Sequence, residues 1–401
     1  MTLECRKQNW NGVWEVAGTI ISTAGLLHQS GVYRIANFTF ECGAELPYID
    51  IAFETWGSLN KERNNCVFVC HALTGDTHAG NGADGEQGWW SGLVRPHGFI
   101  DTNRYFVVCA NVLGGCCGSS GPASIGPNGR PYGLEFPIVT VRDMVKSQML
   151  LAESFGVQKV HSVIGGSLGG MQAWEWACMA GDSIDNVIVI AANTYFSALG
   201  IGYNDAMRQA ITSDSNWQKG EYYNTGRNPE AGLRAARTVG MLTYRTGLLF
   251  QERFGQVHTE KARSATNYEM FTQPIYQIES YLHHAGDKLN LRFDANSYLY
   301  LTRAMDSHDI GRNRGGIAAA LERVKSRITV VGISDDYLYP PSELSQTVDA
   351  ARKVGKDITY FQMNSSFGHD AFLADQHQLQ LVLESSIARP QILATLALRE
   401  N

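Results

Sequence analysis

From His161 to Ala180 the chain reads HSVIGGSLGGMQAWEWACMA, an apolar strand-like run that meets a helical pattern across one serine set among four glycines. A turn that sharp leaves no room for side chains beside the serine. Gly165, Ser167 and Gly169 accordingly match G-x-S-x-G, the nucleophile elbow that lifts a serine hydroxyl above the carboxyl edge of a sheet. Because 41 of the 401 residues are glycine, the pattern is weak alone and its setting decides. The setting is the one required: a strand over His161 to Ile164 before it and a helix from Gly170 after it.

The rest of the chain repeats this alternation. Short β-rich runs at Val67 to Cys70, Tyr105 to Ala110, His161 to Ile164, Val187 to Ala191, Ile328 to Gly332 and Ile358 to Phe361 are bounded by Gly, Asn and Asp. Helical patterns follow over Val141 to Phe155, Gly170 to Ala180 and Ser342 to Val354. This predicts an α/β fold with a mainly parallel sheet flanked by helices. The earlier segment YRIANFTFECGAELPYIDIAFETWG predicts two or three alternating strands forming an antiparallel leading edge. Between Ala191 and Ser326 the alternation stops, and the segment from Ala198 to Arg323, rich in Tyr, Arg and Gln, predicts an inserted all-helical lid. The expected organisation is therefore a catalytic domain over 31–197 and 324–401, a helical lid over 198–323, and an N-terminal extension over 1–30 without an assigned role.

A serine hydroxyl needs a base to take its proton, and that base needs a carboxylate to hold its tautomer. After the strand RITVVGIS come Asp335 and Asp336, and after ITYFQM comes His369. Each stands just beyond a strand's carboxyl end, where open α/β sheets place their sites. The oxyanion formed on attack needs two backbone donors. One is the residue after the serine, Leu168; the other comes from the loop HALTGD after the first strand of the series, with Leu73 favoured over Ala72 or Thr74. His71 and His78, at the ends of HALTGDTH, read as hydrogen-bonded or solvated histidines.

Composition excludes several classes. A net charge of -6, with no Lys/Arg run longer than a dipeptide, gives no footprint for nucleic acid. No segment approaches the roughly 20 apolar residues of a membrane span, and no apolar block with a small-residue cleavage site opens the chain. The expected location is the cytoplasm. Most of the eight cysteines lie in or beside apolar runs, which predicts reduced thiols, and no ligand pair accompanies Cys116 and Cys117, so no metal site is expected.

Taken jointly, HALTGD, NVLGGCCGSSGPASI, TVRDMVKSQMLL, IGGSLGGMQAWEWA, ALGIGYNDAMRQAI, ARTVGMLTYRT, RFDANSYLYLTRAMDSHD, SDDYLYPP and GHDAFL resemble the homoserine O-acetyltransferases of methionine biosynthesis, which have the α/β-hydrolase fold. The resemblance runs from about Gly31 to the C-terminal helix. It implies Ser167 as nucleophile, His369 as base and, between the two aspartates, Asp336, since Asp336, Tyr337, Leu338, Tyr339 and Pro340 fit the family's pattern. It further implies Arg237 on the lid for a substrate carboxylate and Asp370 for the amino group. The reaction implied is ping-pong transfer from acetyl-CoA, as a substrate and not a cofactor, to L-homoserine. Relatives that use succinyl-CoA carry arginine where this chain has Leu338, so leucine implies the acetyl donor. Homoserine and serine differ by one methylene, worth only about 1–3 kcal/mol in a pocket, and serine stays open as acceptor. A homodimer through the lid is implied. The rival classes are an esterase or thioesterase with the same triad and a non-enzymatic protein that kept the fold.

Overall fold

The computed structural model describes residues 20–21, 27–83 and 85–385. Strands β1 (Ile20–Ile21), β2 (Leu27–Thr39), β3 (Glu45–Trp56), β4 (Cys66–Cys70), β7 (Phe106–Ala110), β8 (Val160–Gly166), β9 (Ile184–Ile190), β10 (Arg327–Ile333) and β11 (Ile358–Met363) form one sheet, in the order β1-β2-β3-β7-β4-β8-β9-β10-β11. From β7 to β11 every pair is parallel. The pairs β1·β2, β2·β3 and β3·β7 are antiparallel and make the leading edge. Two further short strands, β5 (Val94–Arg95) and β6 (Ile100–Asp101), pair only with each other.

Strands β4 and β7 are buried at all five positions, as central parallel strands covered on both faces must be. The two-residue period sends Cys66, Phe68 and Cys70 into one core layer and Val67 and Val69 into the other. The first layer is filled by helices α1 (Val141–Ser154) and α2 (Leu168–Met179), through Met144, Met171 and Trp174. The second is filled by Trp90, Leu93, Phe372 and Leu379. Helix α1 starts at a capping box in which Thr140 and Asp143 exchange side-chain and backbone bonds. No disulfide joins the described cysteines, and burial pushes the thiols of Cys66 and Cys178 up to about 12, so these two behave as small apolar side chains.

Between β9 and β10 the chain is helical: α3 (Ala198–Thr212), α4 (Glu230–Tyr244), α5 (Gly247–Phe254), α6 (Asn267–Thr272), α7 (Gln277–Asn290), α8 (Ala295–Asp306) and α9 (Ile317–Glu322). α4 packs on α3 and α7, and α3 on α8. The last of these helices is tied to α2. α9 buries Ala320 and Leu321, and the Cys178 thiol of α2 donates to the Ala320 carbonyl, so α9 belongs to the layer that covers the sheet. Helices α10 (Pro341–Lys353) and α11 (Ala371–Ala374) complete the fold.

One boundary differs from the sequence reading. Residues 27–30, assigned to the extension, belong to β2, where His28 pairs in register with Trp56. The polar side chains of His28, Gln29 and Ser30 hide a strand that backbone pairing with β3 creates. The remainder of the extension, apart from β1, and the C-terminal residues 386–401 lie outside the described residues. Among the described residues no helix is long and apolar enough to cross a membrane.

Candidate active site

Ser167 caps α2 with φ 57° and ψ −123°, left-handed backbone that costs a non-glycine residue about 1–3 kcal/mol. Its side chain makes no capping bond to α2 and stays available for chemistry. The glycines around it are required by contact. A Cβ on Gly165 would collide with the Gly169 carbonyl, and a Cβ on Gly169 with the Cys70 carbonyl. Gly170 packs on Ala192 and Gly166 on the Phe372 ring with no room for a side chain. The strain is held by a buried frame: the Ser167 amide donates to Ile190 of β9 at 3.0 Å.

Three side chains from three loops converge at this carboxyl edge. Ser167 Oγ lies 2.9 Å from His369 Nε2, and His369 Nδ1 lies 2.8 Å from Asp336 Oδ2. The other oxygen of Asp336 accepts from the amides of Leu338 at 2.8 Å and Tyr339 at 3.0 Å. These two donors fix the carboxylate so that one lone pair faces the imidazole. All three side chains are buried. Of the two adjacent aspartates, Asp335 is exposed and takes φ 57°, forming the turn that presents Asp336.

His369 follows Gly368, whose φ of +62° turns the chain toward Ser167. The imidazole is enclosed by rings: Tyr339 stacked at 5.5 Å, Tyr244 at 5.8 Å and Phe372 edge-on at 5.7 Å. Burial by itself would lower its pKa, but the charge of Asp336 and its hydrogen bond outweigh this and hold the pKa above the ordinary 6.5.

The turn Ala72–Gly75 carries Leu73. Gly75 N donates to the Ala72 carbonyl at 2.9 Å, and His71 Nδ1 donates to the same oxygen at 2.8 Å. His71 Nε2 accepts from the Val112 amide at 3.1 Å, which makes His71 neutral with its proton on Nδ1. Burial lowers its pKa and agrees with that assignment. Neither the Leu73 amide nor the Leu168 amide has a protein acceptor among the described residues, so both are available as donors. His78 is a more elaborate hydrogen-bonded group than the sequence suggests. Its Nδ1 faces Glu54 Oε2 at 2.9 Å and its Nε2 faces the Glu86 carbonyl at 3.3 Å.

Arg237 on α4 is half-buried, with its guanidinium 5.6 Å from the Tyr244 ring centre, and it has no ion-pair partner among the described residues. Asp370, beside His369, is already engaged: its Oδ2 lies 3.0 Å from Arg245 Nε, and both side chains are nearly buried. Leu338 is buried in the layer that holds Tyr339 and Phe196, and its amide serves Asp336. Sequence reasoning missed Tyr244, Arg245 and Tyr339. Their one signal was adjacency to motif residues in ARTVGMLTYRT and SDDYLYPP.

Residues 65–365 match the family described as having the α/β hydrolase fold. With a serine, a histidine and an aspartate joined at its carboxyl edge, the sheet defines the chain as an α/β-hydrolase-fold protein. Over 352 residues it is 42% identical to the homoserine O-acetyltransferase of Carboxydothermus hydrogenoformans, covering 86% of this chain and 92% of that protein. It therefore belongs to the homoserine O-acetyltransferase family. The solved homoserine O-acetyltransferase from Bacillus anthracis superposes with a TM-score of 0.81 at 27% identity, covering 89% of this chain and 97% of that one. Esterase E22 superposes equally well, with a TM-score of 0.81 at 26% identity, covering 90% of this chain and 99% of that one.

Proposed function

We propose that this chain transfers the acetyl group of acetyl-CoA to the hydroxyl of L-homoserine, a step of methionine biosynthesis, through an acetylated Ser167. The observation that carries the reading is the line from Ser167 through His369 to Asp336, at 2.9 and 2.8 Å, in a chain that spans 92% of a homoserine O-acetyltransferase.

In the first half-reaction His369 Nε2 takes the proton from Ser167 as Oγ attacks the thioester carbonyl. The C–S bond breaks, and the CoA thiolate leaves with the proton from His369. In the second half, the homoserine hydroxyl gives its proton to His369 and attacks the acyl carbonyl. The ester bond to Ser167 breaks, and His369 returns the proton to the serine. Asp336 holds the imidazole in its tautomer and stabilises the imidazolium in both halves. The amides of Leu73 and Leu168 receive the oxyanion each time. Acetyl-CoA is a substrate, and the chemistry needs no cofactor.

An amino-acid acceptor presents one carboxylate and one ammonium. Arg237, a cation without a carboxylate partner among the described residues, is suited to the first and Asp370 to the second. Leu338 supplies no cation for a second carboxylate on the acyl group, which favours acetyl over succinyl. The helical segment keeps water from the acyl-enzyme. It also exposes Leu242, Leu248, Val257, Tyr268 and Phe271, apolar area that favours a homodimer formed through these helices.

A hydrolase is the second reading, favoured by the equal fit of esterase E22. Thiol release from acetyl-CoA separates the two. Release that rises sharply with homoserine is expected, and release indifferent to any amino acid overturns the transferase reading. The same assay with serine and with succinyl-CoA identifies the preferred pair.

A further inference from the structure

The oxyanion turn is held by a residue distant in the sequence. Arg292 lies between α7 and α8, and its Nη1 donates to the Thr74 carbonyl at 2.6 Å, across 218 residues of sequence. The guanidinium is half-buried, and no carboxylate lies within ion-pair distance of it among the described residues. Among the described residues, the hydrogen bond of this guanidinium goes to this peptide oxygen.

The geometry of the peptide group turns that contact into a means of aiming Leu73. In a planar trans peptide the C=O and N–H point in opposite directions, so fixing one fixes the other. The Thr74 carbonyl shares its peptide with the Gly75 amide, which donates to Ala72 O at 2.9 Å. The Ala72 carbonyl in turn shares its peptide with the Leu73 amide. Arg292 therefore orients one peptide plane, that plane grips the next, and the second carries the Leu73 N–H. Glycine at 75 makes the outer plane free to rotate without such a hold.

The base of Arg292 is itself secured. The Cys116 thiol donates to the Arg292 carbonyl at 3.9 Å, and the Asp294 amide donates to Cys116 Sγ at 3.4 Å. Asp294 caps α8 and also accepts from Tyr223 Oη at 2.9 Å. This gives the Cys116 of the unusual Cys-Cys pair a place in the architecture.

We propose that Arg292 is a positioning residue for acyl transfer: it couples the helical segment to the oxyanion hole by aiming the Leu73 amide through two successive peptide planes. The proposal rests on the reading of Leu73 and Leu168 as the oxyanion donors. It predicts a loss in kcat and none in substrate affinity, because the hydrogen bond of the guanidinium goes to the turn.

The test uses the full-length chain and R292Q, with R292K as the conservative variant and thermal unfolding as a control for folding. Ser167 is acylated with a slowly released chromophoric acyl ester, and the acyl carbonyl stretch is read by infrared or Raman difference spectroscopy. In the wild type this stretch should fall below that of the denatured acyl-enzyme. In R292Q it should move back toward the denatured value, with kcat down about 10- to 100-fold, less than the loss of a whole oxyanion donor. KM for both substrates should stay within about twofold, and R292K should recover part of kcat and of the shift. Wild-type frequency and kcat retained in R292Q overturn the role of Arg292 and leave the oxyanion reading standing. A rise in KM with kcat unchanged overturns it also, making Arg292 a substrate contact. An unshifted stretch in the wild type overturns the oxyanion reading itself.

Discussion

Arg245 Nε lies 3.0 Å from Asp370 Oδ2, yet Nε is without an aligned hydrogen-bond acceptor. The two are held by charge and proximity, and the carboxylate keeps capacity for a further donor. An acceptor ammonium would share Asp370 with Arg245. Asp370→Asn should then raise KM for the amino-acid acceptor about 10- to 100-fold, the worth of one charge-assisted hydrogen bond. Acylation by acetyl-CoA without acceptor, measured as a thiol burst, should change by less than about threefold. A burst that falls in parallel with acceptor turnover would remove Asp370 from acceptor binding.

The His369–Asp336 contact sets the acid limit of activity. His369 must be neutral to take the serine proton, and its pKa is raised above 6.5 in the folded protein. Activity should therefore fall as pH drops through a value above 6.5. For stability the sign is opposite: the pair's contribution is complete below 6.5, the ordinary value, and is lost as pH rises through the raised one. Asp336→Asn should move the acid limb of kcat/KM to lower pH. It should also cut kcat by about 10⁴-fold, because the asparagine does not hold the required tautomer. A pH–rate profile of the variant with an unmoved acid limb would assign that limb to another group.

The parts of this site that could be read in the sequence are those tied to strand ends. Ser167, Asp336 and His369 each follow an apolar run, and the run announces both the strand and the loop that presents the residue. The glycines around Ser167 were legible because a collision with Cys70 or Gly169 forbids anything larger. Contacts between segments distant in the chain carry no such local sign. Arg245 meets Asp370, Arg292 meets Thr74 and Glu54 meets His78 only through tertiary structure. The start of β2 was hidden for a related reason, since His28, Gln29 and Ser30 enter the sheet by backbone pairing and not by an apolar pattern.

Leu338 offers a test of donor choice. Its side chain is buried beside the loop that presents Asp336, while its amide serves the carboxylate whatever the side chain is. Leu338→Arg should leave the triad geometry in place and add a cation at the position proposed to select the acyl donor. The ratio of kcat/KM for succinyl-CoA over acetyl-CoA should rise at least tenfold, about 1.4 kcal/mol of discrimination. An unchanged ratio in a folded variant would show that residue 338 does not face the acyl group.

Glu54 ties β3 to the loop that follows the oxyanion turn, accepting from His28 at 2.9 Å, His78 at 2.9 Å and Thr77 at 2.6 Å. Burial by itself would raise its pKa, but the hydrogen bonds from His28 and His78 hold it down at about 2. Burial likewise works against the charge on His78, and Glu54 overcomes it to lift the pKa to about 9. Both His78 nitrogens face acceptors, which only the protonated ring satisfies. For Glu54 the folded pKa is depressed, so its contribution is present above 4.5 and lost as pH falls toward 2. For His78 the folded pKa is raised, so its contribution is present below 6.5 and lost as pH rises through about 9. The pair should therefore stabilise the fold most between these limits and weaken through pH 9. His78→Asn should lower stability at pH 6 by about 1–3 kcal/mol, the cost of one buried charge-assisted hydrogen bond, and the deficit should shrink at pH 10. Denaturant unfolding at the two pH values measures this, and a deficit equal at both would mean that His78 is neutral in the folded protein.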